Sequence, residues 1–305
     1  DDSGTMKLLK QAFYELFIEK ENSFEQFHKN IINEFNKLLS AEEDIRAKNR
    51  LEPGDSEILS IRYSMPAWII SSLFESKCKN YTVNEFCDIL ESFAGSAPVG
   101  LRVNFRKTAR EDIIRQLEKS EIDCHTARLS PAGIIMNQRF PLNQTELYKS
   151  GAVEVQDEGS QLIGYAVNPS PSWRILDACA GAGGKTLHLA DIQNDSGYII
   201  SADVDFRKLR ELKKRKNRAS LNSIEVYQWG KNNAKSRQLK EKYFSSEFDA
   251  VLVDAPCSGL GTIRRMPVIK YRRNESVIRR HANAQLALLK QYSAYLKRGG
   301  TLVYA

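Results

Sequence analysis

The sequence predicts an α/β protein built in three segments. A helical N-terminal region spans residues 1–92, a small α+β module spans 93–150, and a doubly wound parallel sheet occupies 151–305. Three observations carry this prediction. Apolar residues recur at three- and four-residue spacing as far as Ser92, the period of amphipathic helices. Beyond Trp173, short apolar runs ending at Asp alternate with longer polar-faced stretches, which is the βαβ signature of a parallel sheet. The chain has 305 residues, more than one domain at about 150 residues each.

The elements follow in order. Leu8, Leu9, Ala12, Phe13 and Leu16 predict one helix, and Phe24, Phe27, Ile31, Ile32, Phe35 and Leu38 a second. Pro53-Gly54-Asp55 breaks the pattern, and Pro66 opens another helix from Ala67 to Phe74, in which Trp68 is expected to pack in a core. Val99 to Phe105 alternates as a strand. Thr108 to Glu118 reads as a helix with Thr108 as N-cap and Glu111 completing a capping box. Ile122 to Leu129 and Gly133 to Met136 read as short strands, and Pro141 to Gly159 as a connector. Five strands are then expected at Ile175–Cys179, Tyr198–Ala202, Ile224–Trp229, Phe248–Val253 and Gly300–Ala305. The helices between them begin at Lys185, Phe206 and Ser276.

Composition excludes several classes. The chain is 42% hydrophobic and 27% charged, as in ordinary globular proteins. It holds no run of 18 apolar residues, so no membrane span is expected, and no leader-like start, so no secretory signal. Five cysteines (Cys78, Cys87, Cys124, Cys179, Cys257) at irregular spacing predict reduced thiols in a cytoplasmic protein. With no CxxC pair and four scattered histidines, no metal site is expected. The net charge of +7 is uneven: residues 1–150 carry 20 basic against 23 acidic groups, and residues 151–305 carry 25 against 15. A basic rear half points to a polyanion partner, nucleic acid first.

Three motifs bear chemistry. Asp177-Ala-Cys-Ala-Gly-Ala-Gly-Gly-Lys-Thr186 places glycines at 181, 183 and 184 between a strand and a helix, where a ligand can approach the backbone. A P-loop would need glycine at Cys179, and a dinucleotide fingerprint would need it at Thr186. The nucleoside site of S-adenosylmethionine (SAM) methyltransferases is the remaining reading. Asp203 ends the second strand, 22 residues after Gly181, where a carboxylate can bind ribose hydroxyls. Its other reading is a helix N-cap, a task that Asp205 can take instead. Asp254-Ala-Pro-Cys-Ser-Gly259 ends the fourth strand, so Asp177, Asp203 and Asp254 should line one crevice. Cys257 reads as a small buried hydrophobe or as a reactive thiol.

DACAGAGGKT at 177–186, SADVD at 201–205 and VLVDAPCSGLGTIRRMPVIKYR at 251–272 together resemble the Sun/RsmB family of RNA cytosine-C5 methyltransferases. Gly151 to Ser160 resembles the segment before the family's cofactor strand, and Leu101-Arg-Val-Asn104 its RNA-recognition-like module. The resemblance covers roughly residues 60–305 and implies a Rossmann-like class I SAM methyltransferase domain behind that module. It implies that Cys179, Ala180, Gly181, Ala182, Gly183, Gly184, Lys185, Asp203 and Asp254 hold SAM. Asp254 matches the acid that stabilises the base adduct near ring N3, and Cys257 the cysteine associated with product release. Arg264, Arg265, Lys270, Arg272 and Arg273, followed by Arg279 and Arg280, are expected to contact phosphates of a ribosomal or transfer RNA. The basic stretch from Arg207 to Arg218 is expected to be a solvated helix face. The implied protein is a cytoplasmic monomer without metal.

The sequence departs from the family pattern in three places. Ala182 stands where the family often has Pro, and residues 226–233 hold no acid near the expected adenine position, leaving an Asn or backbone groups for that contact. The family's covalent nucleophile is the cysteine of a Thr-Cys pair directly after the fifth strand, and the sequence ends at Ala305. As it stands, the chain is expected not to complete the reaction. A SAM-binding RNA-binding protein without catalysis and a Rossmann-type oxidoreductase are the alternatives.

Overall fold

The structure is a computed structural model that describes residues 24–52, 54–76, 80–230, 233–245 and 247–305. The helix expected around Leu8 to Leu16, and Cys78, lie outside the described residues. Contacts divide the chain into two units. One joins the described residues up to Ala97 with Ser258–Ile278, and the other joins Pro98–Cys257 with Arg279–Ala305. The segment after Cys257 therefore groups with the N-terminal helices, which sequence order did not suggest.

The first unit contains α1 (Phe24–Arg46), α2 (Asp55–Arg62), α3 (Ala67–Ser76) and α4 (Val83–Ser92), with short 3-10 turns at Leu260–Thr262 and Pro267–Arg272. Ile45, Leu59, Met65, Ile70, Phe86 and Leu90 form its core, closed by Ile263 and Ile269, with Trp68 packed at the margin. Ile31, Ile32 and Phe35 of α1 are exposed. The buried Glu42 carboxylate accepts from Arg46 Nε at 2.8 Å, Arg62 Nε at 2.5 Å and the Tyr63 hydroxyl. A buried charge is tolerable only when its lone pairs are filled in this way.

The second unit opens with an antiparallel sheet in the order β2-β3-β1-β4. Its strands are β1 (Val99–Val103), β2 (Cys124–Thr126), β3 (Gly133–Met136) and β4 (Val153–Val155), with α5 (Arg110–Lys119) against it. Two expectations are corrected here. The capping box at Thr108 does not form: Ala109 is the N-cap of α5 and makes no side-chain cap. The helix starts late enough that Glu111 falls one position short of closing the box, and the box forms at Thr82 and Glu85 of α4 instead. The connector Pro141–Gly159 is not structureless. It holds α6 (Glu146–Lys149) and β4, because Val153 is fully buried beside β1.

After α7 (Glu158–Val167) comes a parallel sheet in the order β7-β6-β5-β8-β9. Its strands are β5 (Arg174–Asp177), β6 (Tyr198–Asp203), β7 (Ile224–Gln228), β8 (Phe248–Val253) and β9 (Leu296–Tyr304). Helices α8 (Gly184–Ile192), α9 (Phe206–Ala219), α10 (Ala234–Phe244) and α11 (Glu275–Ser293) complete it. Successive strand residues face opposite sides. Ile175, Ile199 and Leu252 thus enter one core with Leu187, Leu209 and Leu212. Leu176, Ile200 and Val251 enter the other with Tyr227, Tyr243 and Tyr292. The strand order reverses at β5, which places the ligand crevice at the carboxyl ends of β5, β6 and β8. Among the described residues, no helix is long and apolar enough to cross a membrane.

Candidate active site

The crevice is built around the turn from β5 to α8. Gly181 and Gly183 have φ of 54° and 85°, left-handed values that glycine adopts without strain. At Gly183 a Cβ would also stand 2.5 Å from Leu212 Cγ. Ala180 N–H donates to the Ala202 carbonyl at 3.0 Å, and Gly183 N–H to the Ala180 carbonyl at 2.9 Å. Gly181 N–H donates to Asp203 Oδ2 at 2.9 Å, and Asp205 N–H to Asp203 Oδ1 at 2.8 Å. Asp205 caps α9 by accepting from Arg207 N–H at 2.8 Å, which leaves Asp203 to face the turn. Each Asp203 oxygen keeps a second lone pair for a ligand hydroxyl.

Asp177, Cys179 to Ala182, Gly184, Lys185, Asp203, Asp254 and Cys257 line one cavity of about 370 Å³. That volume falls in the range of about 300–1,000 Å³ usual for small-molecule sites. Asp177 is buried, and burial pushes its carboxyl up to about 7, with the nearby Asp254 and Asp203 carboxylates adding to the rise. Its Oδ2 accepts from the Thr186 hydroxyl at 2.7 Å, while Oδ1 finds no hydrogen-bond partner among the described residues. Lys185 Nζ donates to Asp254 Oδ2 at 2.5 Å, so a cation holds the carboxylate at the end of β8. Burial and the surrounding carboxylates push the Cys179 thiol up to about 12. It therefore stays protonated and is a poor nucleophile. Cys257 is an exposed thiol at the rim, and of the described cysteines Cys87 is buried while Cys124 and Cys179 are half-buried. Among the described residues no three His, Cys, Asp or Glu side chains group to hold a metal.

Sequence reasoning missed several contributors. Ser160, Lys208, Ala255 and Pro256 also line the cavity. Trp229 Nε1 donates to the Ala178 carbonyl at 3.1 Å, fixing the turn from the side of β7. Asn233 accepts from Ser236 N–H at 2.8 Å as the cap of α10. Arg279 and Arg280 belong to the unit that holds the cavity, whereas the basic residues from Arg264 to Arg273 belong to the other unit. There Arg264 donates to the Ser96 carbonyl at 2.6 Å and Arg273 to the Ser258 carbonyl at 2.7 Å. Arg265 and Arg272 are exposed, whereas Lys270 is only 9% exposed, and burial pulls its ammonium down from the usual range.

A parallel sheet in this order, with a glycine-rich turn after β5, Asp203 at the end of β6 and Asp-Ala-Pro-Cys after β8 around one cavity, has the architecture of a Rossmann-like methyltransferase domain. Two family descriptions match the chain: 16S rRNA methyltransferase RsmB/F over residues 164–305, and the RsmF/B-like ferredoxin-like domain over 65–143. The chain belongs to this RsmB/F (Sun) family of RNA methyltransferases. It is 33% identical over 205 residues to the probable ribosomal RNA small subunit methyltransferase B of Bacillus subtilis, covering 67% of this chain and 44% of that protein. It is 30% identical over 291 residues to the corresponding Synechocystis protein, covering 94% and 62%. The crystal structure of a methyltransferase homolog protein from Pyrococcus horikoshii is 26% identical with a TM-score of 0.65, covering 83% of this chain and 77% of that one. The chain spans about half the length of the curated relatives it matches.

Proposed function

We propose that the protein methylates C5 of cytosine in small-subunit ribosomal RNA, with SAM as methyl donor. The observation that carries this reading is the convergence of the glycine-rich turn, Asp203 and the Lys185–Asp254 pair on one cavity whose rim bears the Cys257 thiol. The residues present suit the cofactor. The turn offers close backbone approach, Asp203 keeps acceptors for ribose hydroxyls, and the unpartnered Asp177 Oδ1 suits an ammonium group. Residues Cys179 to Lys185, with Asp203 and Asp254, are the proposed holders. Bound there, SAM supplies an electrophilic methyl group. The relatives' names as small-subunit ribosomal RNA enzymes support ribosomal over transfer RNA.

Cytosine C5 is a poor nucleophile until a thiolate adds to C6 and makes C5 enamine-like. In the family pattern that thiolate belongs to the cysteine just beyond the strand that is β9 here. Asp254, oriented by Lys185, accepts a hydrogen bond from ring N3 once N3 has taken up a proton in the adduct. After methyl transfer a base removes the C5 proton, the C6–S bond breaks, and Cys257 takes part in that release. The target base must leave its stack to enter the cavity. Arg264, Arg265, Arg272 and Arg273 supply basic groups for the RNA backbone, which fix position without reading sequence, while the buried Lys270 does not reach a phosphate. The protein acts in the cytoplasm as a monomer that needs no metal. The test is transfer of labelled methyl from SAM to small-subunit ribosomal RNA by the intact protein. Label in 5-methylcytidine after nucleoside digestion is expected; label confined to another nucleoside overturns the proposal.

A further inference from the structure

We infer that Arg215 is a positioning residue for the cofactor, through which the small antiparallel sheet sets the glycine-rich turn. The inference rests on reading the crevice as a SAM site. Arg215 lies within the basic helix α9, yet its side chain is only 13% exposed. Its Nη1 donates to the Ala182 carbonyl at 2.9 Å, while Nε and Nη2 donate to Glu154 Oε2 at 3.1 and 2.8 Å. Glu154 is buried on β4, in register with Arg102 of β1. The guanidinium thus spans from the small sheet to the middle of the turn.

Ala182 stands between Gly181 and Gly183, both at positive φ, so the local chain alone does little to fix the direction of its carbonyl. A planar group with five N–H donors on three nitrogens in fixed geometry holds both acceptors at once, which a lysine ammonium matches poorly. Arg218 provides an internal comparison. It donates to the other Glu154 oxygen and lies 3.6 Å over the Tyr148 ring, so its side chain engages the same anchor from outside the turn.

The experiment is calorimetric titration of the intact protein with S-adenosylhomocysteine, well below the unfolding temperature. Arg215→Met is expected to bind about 10-fold more weakly, the value of one lost charge-assisted hydrogen bond. Arg218→Met is expected to lower the thermal midpoint yet bind within about 2-fold of the parent, because its losses lie outside the turn. Glu154→Gln, which keeps the volume and loosens the anchor, is the second variant, expected to bind about 3-fold more weakly. Equal weakening in the two arginine variants, or parental affinity in Arg215→Met or Glu154→Gln, overturns the inference. Failure of the parent protein itself to bind overturns the SAM reading instead.

Discussion

At Asp177 the fold buries a carboxyl in the wall of the crevice, and one of its oxygens takes only the Thr186 hydroxyl. Burial raises its titration to about 7, whereas an unfolded aspartate titrates near about 3.9. The folded state therefore keeps a proton that the unfolded state has lost throughout the window between these values. Its contribution to stability is fully present below about pH 4 and is lost as pH rises through about 7, by up to about 4 kcal/mol. Asp177→Asn keeps the acceptor for Thr186 and has no proton to lose. Urea unfolding across pH 4–7.5 should show a flatter pH dependence in that variant, and an unchanged slope would assign the titration elsewhere. At this scale the three acids were legible, because a strand that ends in Asp can be read from its apolar run. The Lys185–Asp254 pair was not, because it joins residues 69 apart that meet only when β5 and β8 lie side by side.

Elements bring these residues together, and the turn before α8 shows how. Its glycines could be read from spacing, but the demand on each could not. Gly183 is required twice, by its φ of 85° and by Leu212 packed where a Cβ would stand. Gly183→Ala should therefore destabilise the protein by roughly 1–3 kcal/mol and weaken S-adenosylhomocysteine binding with it. Thermal unfolding and titration check both, and an unaltered midpoint would show that the turn yields easily. Helix caps were less legible. Thr108 and Thr82 each precede a glutamate by three residues, but only Thr82 sits at the residue where its helix begins. The start of a helix is set by tertiary packing as much as by local capping. Strand β4 hid in a presumed connector because three residues are too few to show alternation, and its place is fixed by pairing with β1. Helix α9 read as a solvated basic face, yet Arg215 and Arg218 turn inward to the buried Glu154, an acid that sequence reading had passed over.

For the whole molecule, the parallel sheet was legible because buried strands and their crossover helices leave a strong alternating signal, whereas its strand order came only from the structure. The grouping of Ser258–Ile278 with the N-terminal helices was not legible, since it depends on Ile263 and Ile269 entering a core formed by the distant residues Ile45 to Leu90. The +7 charge resolves into parts with different roles. Some of the basic groups bind carboxylates inside the fold, as Arg46 and Arg62 do at Glu42 and Arg215 at Glu154. Others, such as Arg272, stay exposed. The central claim is that the crevice beside Asp203 is a SAM site. Calorimetric titration of the protein with S-adenosylhomocysteine and, separately, with NAD tests it most directly. Asp203 makes the turn's hydrogen bond to Gly181, so Asp203→Ala should weaken S-adenosylhomocysteine binding by at least about 10-fold while the protein stays folded. The account predicts binding of S-adenosylhomocysteine, its loss in Asp203→Ala, and no comparable affinity for NAD. Tight NAD binding with no response to S-adenosylhomocysteine would contradict it.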